Sequence, residues 1–165
     1  MNRAIQHEAS AQETPFPPIE TILPHRGTML LLDAVEMCTD DRLVASASVD
    51  EQAWYADGQG AMPAWIGIEL MAQAIAAHVG LLAMRAGGTA LPGVLLGSRS
   101  YSAKIPAFGN EAKLIVEAKV LLRSEGGYGA YECAIRQGRI ECAGAVIKVF
   151  QPDDFRSFIE GSLQP

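Results

Sequence analysis

Residues 66–84, IGIELMAQAIAAHVGLLAM, are apolar or small at every position except Glu69, Gln73 and His78. The run is long enough to cross a bilayer, but each of those three side chains is expensive in lipid. The reading adopted is a helix buried inside a soluble fold, because a helix apolar on nearly all sides must be enclosed by other elements. Pro63 precedes it, as suits a first helical turn. Gly87-Gly88 follows and ends it near Arg85.

The rest of the chain reads mainly as the wrapping such a helix needs. Residues 1–17 are polar and proline-bearing and read as a flexible tail, followed by a single domain over 18–165. A short helix from Ile19 to Leu23 stops at Pro24. Strands are expected over 29–38 and 42–49, and 50–62 is a loop without periodicity. Four further strands are expected over 94–104, 111–123, 128–136 and 140–150. In the second of these, Leu114, Val116, Ala118, Val120 and Leu122 fall on one face, with Lys113, Glu117, Lys119 and Arg123 on the other. Glu125-Gly126-Gly127 and Gln137-Gly138 are turn signals. A last helix is expected from Asp153 to Ile159. Two strands, one long apolar helix and four strands are accommodated by an α+β fold, an antiparallel sheet wrapped around one long buried helix. This is the hotdog arrangement.

Composition narrows the function classes. A formal charge of −6 opposes general nucleic-acid binding, which needs a basic surface to displace counterions. The amino-terminal stretch has no apolar core of a secretory signal, and the chain reads as cytoplasmic with no membrane span. The three cysteines, Cys38, Cys133 and Cys142, form no C-x-x-C pair, so no metal is expected. A two-residue hairpin at Gln137–Gly138 would place Cys133 opposite Cys142; free, packed thiols are the preferred reading. No nucleotide or other cofactor motif is present.

Four strings carry a family resemblance: LPHRGTMLLLDAV (23–35), SVDE (48–51), PAWIGIELMAQA (63–74) and AKIPAFG (103–109). In this order they resemble the beta-hydroxyacyl-acyl-carrier-protein dehydratases. Residues 63–77 are most similar to the 3-hydroxyacyl carrier-protein dehydratases of aryl-polyene-type pathways. The resemblance implies water loss from a 3-hydroxyacyl thioester on an acyl carrier protein. Such a reaction needs a base for the α-proton, an acid for the departing hydroxyl, and donors for charge on the thioester carbonyl. It places Glu69 at the family's acid position, with Gln73 one turn below on the same face. Amides near Ala64 and Trp65 are the candidate oxyanion donors.

The resemblance also exposes a gap. The family's catalytic His belongs in the loop before the helix; counting from either side reaches Tyr55 or Asp57 instead. Of the three histidines, His7 lies in the tail and His78 falls on the far side of the helix from Glu69. His25 belongs to the L-P-H-R string, where it reads as a structural hydrogen bonder or a relocated base. Asp57 is a weak candidate base unless desolvated. Tyr55, Trp54 and Trp65 line an acyl tunnel or pack the loop. The family dimerises, so the chain is a dehydratase homodimer with a relocated base or a partner subunit in a heterodimer with a related, His-bearing hotdog chain. A hotdog thioesterase, with Glu69 or Asp57 activating water, is the alternative. Arg26, Arg99 and Lys104 are the candidate contacts for an acidic carrier protein.

Overall fold

The computed structural model describes residues 16–162. The tail expected over 1–17, including His7, lies almost wholly outside them. After one turn of helix, α1 (Ile19–Ile22), which buries Ile19 and Ile22, the chain forms a 3₁₀ turn over Gly27–Met29. Strand β1 (Ala34–Cys38) follows, and β2 (Arg42–Ser48) returns beside it. The first strand is therefore shorter than its apolar run predicts. Gly27, at φ +56°, turns the chain, and the Leu31 amide donates to the side chain of Gln73 instead of to a neighbouring strand. Ladder bonding to β2 begins only at Asp33, whose amide donates to the Ser46 carbonyl.

The long helix, α2 (Gly67–Arg85), is introduced by a 3₁₀ turn over Ala64–Ile66. Before it, β3 (Met62–Pro63) pairs with β5 (Ala107–Phe108), a two-stranded ribbon that the loop-like sequence of 50–62 does not announce. Beyond it come β4 (Val94–Ala103), β6 (Lys113–Arg123), β7 (Tyr128–Gln137), β8 (Ile140–Phe150) and α3 (Phe155–Ser162). The main sheet has the order β1-β2-β6-β7-β8-β4, antiparallel at every pairing. It is the expected hotdog architecture, with α2 packed against the inner face of the sheet.

Period-two alternation drives that packing. Leu43, Ala45 and Ala47 of β2 and Leu114, Val116 and Ala118 of β6 point inward against Leu70, Met71, Ala74, Ile75 and Ala77 of α2. Alternation fails where bulges intervene. One between Val120 and Leu122 turns Leu122 out to 60% exposure, against the face its spacing predicts. The β7–β8 hairpin turns on Gly138-Arg139, one residue later than the expected Gln137–Gly138 turn, and a bulge between Ile135 and Arg136 adds to the offset. Cys133 therefore faces Ala145 rather than Cys142, and all three cysteines are free and buried. Burial holds the Cys133 thiol up at about 12, so it stays protonated and inert.

By length and composition the Ala64–Arg85 helix could cross a membrane, but most of it is buried inside the fold. One stripe, through Ile68, Glu69, Ala72, Ala76, Val79 and Ala83, stays only partly covered. Beside it runs β4, an edge strand with Leu95 and Leu96 about half exposed.

Candidate active site

Glu69 sits in the first turn of α2, on the stripe the sheet leaves open, with its side chain 35% exposed. One turn on, Gln73 is fully buried and uses both ends of its amide. Its Nε2 donates to Glu69 Oε1 at 2.9 Å and to the Met29 carbonyl at 2.7 Å, and its Oε1 accepts from the Leu31 amide at 3.0 Å. Gln73 therefore fixes the carboxylate from below and ties the 29–31 segment to the helix. The i, i+4 spacing in the sequence pairs Glu69 with Gln73; the tie to Met29 and Leu31 has no sequence signal.

His25 lies on the other side of the same carboxylate, its Nε2 3.5 Å from Glu69 Oε1. Its Nδ1 is buried without a hydrogen-bond partner among the described residues. The ring is thus aimed at Glu69 and retains one unsatisfied nitrogen, an arrangement that calls for an explanation beyond packing. His78 is the reverse case. It is fully buried, Nε2 lies 2.9 Å from the Thr39 carbonyl, and Nδ1 lies 3.2 Å from the Tyr131 hydroxyl.

Above Glu69 opens a hollow of about 350 Å³, lined by Met29, Leu31, Trp54, Trp65, Ile66 and Ile68. Trp54 and Trp65 are half exposed or more, and the Trp54 indole is held by a 2.8 Å bond from Nε1 to the Thr28 carbonyl. Met29 escapes notice in the sequence because the 3₁₀ turn carrying it reads as the start of a strand.

Tyr55 and Asp57 are not brought to the Glu69 hollow. Tyr55 is buried, with its hydroxyl accepting from the Asp50 amide at 3.1 Å, and it packs edge-on to Trp54. It holds the loop together and lines a separate hollow beside Thr28 and Asp33. Asp57 is a loop-closing residue: its Oδ1 accepts from the Gln59 and Ala61 amides at 2.8 and 3.0 Å. That carboxylate is exposed and spent on closing its own loop.

Both backbone groups of Ala64 are engaged. Its amide donates to the Pro106 carbonyl at 2.9 Å, and its carbonyl accepts from the Tyr101 hydroxyl. The Ala64 amide is therefore not open to a substrate. The Trp65 amide, next along the turn, makes no hydrogen bond to any described residue and is an open donor at this helix start. Of the basic candidates, Arg26 folds back onto the Leu23 and His25 carbonyls, Lys104 pairs with Glu141 at 3.2 Å, and Arg99 is exposed on β4.

A family model for the ApeP dehydratases matches residues 17–160 of the chain. A comparison with curated proteins gives no match. Among solved structures, the dehydratase heterocomplex ApeI:P from Xenorhabdus doucetiae superposes with a TM-score of 0.84 at 25% identity, covering 90% of this chain and 99% of that one. A hypothetical thioesterase with coenzyme A from Streptococcus pneumoniae TIGR4 shares the fold at a TM-score of 0.56 and 18% identity, over 72% of this chain and 87% of that one. Cj0977, a sigma28-regulated virulence protein from Campylobacter jejuni, does so at 0.57 and 16%, over 82% and 96%. With the sheet, the helix and the matched span in agreement, the chain belongs to the ApeP dehydratase family and is a dehydratase-type hotdog protein.

Proposed function

We propose that this chain is the acid-bearing subunit of a soluble, cytoplasmic 3-hydroxyacyl-thioester dehydratase whose site is completed by a related hotdog subunit. The observation that carries the proposal is Glu69: a carboxylate fixed by Gln73, flanked by His25 and facing an apolar hollow, behind a 50–62 loop that contains no histidine. The ApeI:P structure is a heterocomplex, which supports a second subunit as the source of the missing base. The partly covered stripe of α2 and the exposed leucines of β4 favour the same reading, because a long apolar edge is a liability in an isolated chain.

In the proposed reaction the partner's base removes the α-proton and the C–H electron pair becomes the new double bond. The β-hydroxyl leaves as water on receiving the proton held by Glu69. Negative charge growing on the thioester oxygen is met by the Trp65 amide at the positive end of α2. The base returns its proton to Glu69 or to solvent, and His25, 3.5 Å from the carboxylate, is placed to pass it. The acyl group lies between Trp54 and Trp65, delivered as a thioester on an acyl carrier protein.

The test is to purify the chain alone and with a related hotdog dehydratase that carries the loop histidine, and to follow 3-hydroxyacyl carrier protein by mass spectrometry. The pair should form the enoyl thioester at least about 100-fold faster than the lone chain. Robust turnover by the lone chain that disappears in His25→Ala would make His25 the base and remove the need for a partner. Free acid as the product would identify a thioesterase instead.

A further inference from the structure

Strand β4 breaks register with β8 between Arg99 and Ser102, leaving Ser100 and Tyr101 out of the ladder. Ser100 stands at φ +54°, a left-handed conformation that a serine rarely adopts inside a strand. Such an outlier persists only where its surroundings require it. What it achieves is visible in the next residue. Tyr101 turns toward the start of α2, and its hydroxyl donates to the Ala64 carbonyl. The helix start comes close enough for this because position 67 is glycine: a Cβ there would lie 2.5 Å from the Tyr101 hydroxyl and 3.0 Å from Ile135 Cδ1. Burial pushes the Tyr101 phenol up, so it remains a proton donor at neutral pH.

The 3₁₀ turn Ala64–Ile66 is consequently gripped from two sides, through the Ala64 amide by Pro106 and through the Ala64 carbonyl by Tyr101. The next residue, Trp65, carries an amide with no partner among the described residues and the indole that walls the hollow. We infer that the Tyr101 hydroxyl, held in place by the strained Ser100 bulge, latches this turn and sets the direction of the Trp65 amide. Tyr101 is a positioning residue: it does not line the Glu69 hollow and acts through Ala64 and Trp65. The catalytic consequence rests on the dehydratase reading above; the latch itself does not.

Tyr101→Phe keeps the ring and removes only the hydroxyl. In the complex with the partner subunit, kcat should fall about tenfold while KM changes less than about twofold, since a donor moved by a fraction of an ångström weakens the transition state more than binding. Labelling the chain with ¹⁵N-tryptophan gives two backbone amide resonances, from Trp54 and Trp65. The Trp65 signal should shift or broaden in Tyr101→Phe while that of Trp54 stays. Ser100→Gly, which relieves the bulge and keeps the hydroxyl, should preserve both kcat and the Trp65 resonance. An unmoved Trp65 resonance overturns the latch, whatever happens to kcat. A moved resonance with unchanged kcat overturns its catalytic role. If the wild-type complex makes no enoyl product, the functional reading fails, and the resonance still decides whether the latch exists.

Discussion

His25 meets α2 at Glu69 with one ring nitrogen unpaired and a quarter of its side chain exposed, whereas His78, about two and a half turns further along, has both nitrogens engaged and no exposure. The two sit at opposite ends of one apolar helix and on opposite sides of it. At the His78 end the polar groups are paired: the Thr39 carbonyl and the Tyr131 hydroxyl take the ring, and the Arg85 guanidinium donates to the Cys38 carbonyl. At the Glu69 end capacity is left over: an orphan nitrogen on His25, an unpaired amide on Trp65, and a carboxylate open to a hollow. Fully satisfied polar groups specify a core. Polar groups with spare capacity, facing an apolar hollow, are how a protein prepares for a substrate.

The sharpest way to break that contrast is to exchange one atom at the open end. Glu69→Gln keeps shape and can still meet Gln73, but it cannot hold the proton for the departing hydroxyl. Turnover of the assembled dehydratase should fall by roughly 10²–10⁴-fold, with the urea midpoint of the chain nearly unchanged because the Glu69 side chain is partly exposed and the glutamine can keep its bond to Gln73. Activity within a few-fold of wild type would show that the open end is not a site. At the closed end the same logic predicts the opposite outcome. His78→Leu leaves the Tyr131 hydroxyl buried without its partner and removes the ring's bond to the Thr39 carbonyl, at a cost of about 2–4 kcal/mol in urea unfolding. Turnover per folded molecule should stay at the wild-type value. His25→Leu should cost less than about 1 kcal/mol, since one of its nitrogens is unsatisfied to begin with. Equal losses of stability for the two histidines would erase the distinction.

Much of this contrast is legible in the sequence, and the part that is not has a common cause. The helix, its bounds near Pro63 and Arg85, and the strands β2, β6, β7 and β8 follow from local patterns that packing then reinforces. The isolation of His78 from Glu69 follows from helical geometry alone. The pairing of Glu69 with Gln73 follows from i, i+4 spacing. What escapes are departures from local rule set by tertiary contact. The bulge that turns out Leu122 is a single-residue insertion with no turn signature, and the hairpin that would have paired Cys133 with Cys142 turns one residue later than Gln137-Gly138 suggests. The run at 29–32 looks like strand, yet its Leu31 amide is claimed by a glutamine forty-two residues away. For the same reason His25, in a segment whose spacing says nothing about α2, is found beside Glu69 only once the chain is folded.

The smallest expected effect tests the closed end by titration. Burial is the main cause lowering the pKa of His78, with Arg123 and Arg85 acting in the same direction; the Thr39 carbonyl and Asp41 oppose it and lose. In the unfolded chain the ring returns to its ordinary pKa of about 6.5. Between the lowered folded value and 6.5 the unfolded state binds more protons, so unfolding free energy rises with pH across that window. The contribution of neutral His78 is therefore complete above about pH 6.5 and declines as pH falls through the folded value. Between pH 7.5 and 5.5 the ring can account for a loss of at most about 1.4 kcal/mol, because only one unit of that interval lies below 6.5. His78→Gln retains a polar amide without a titrating ring, so its urea midpoint should decline less over the same interval. Parallel declines in the two proteins would mean that His78 is protonated as easily inside the fold as outside it, and the closed end would then be open to solvent after all.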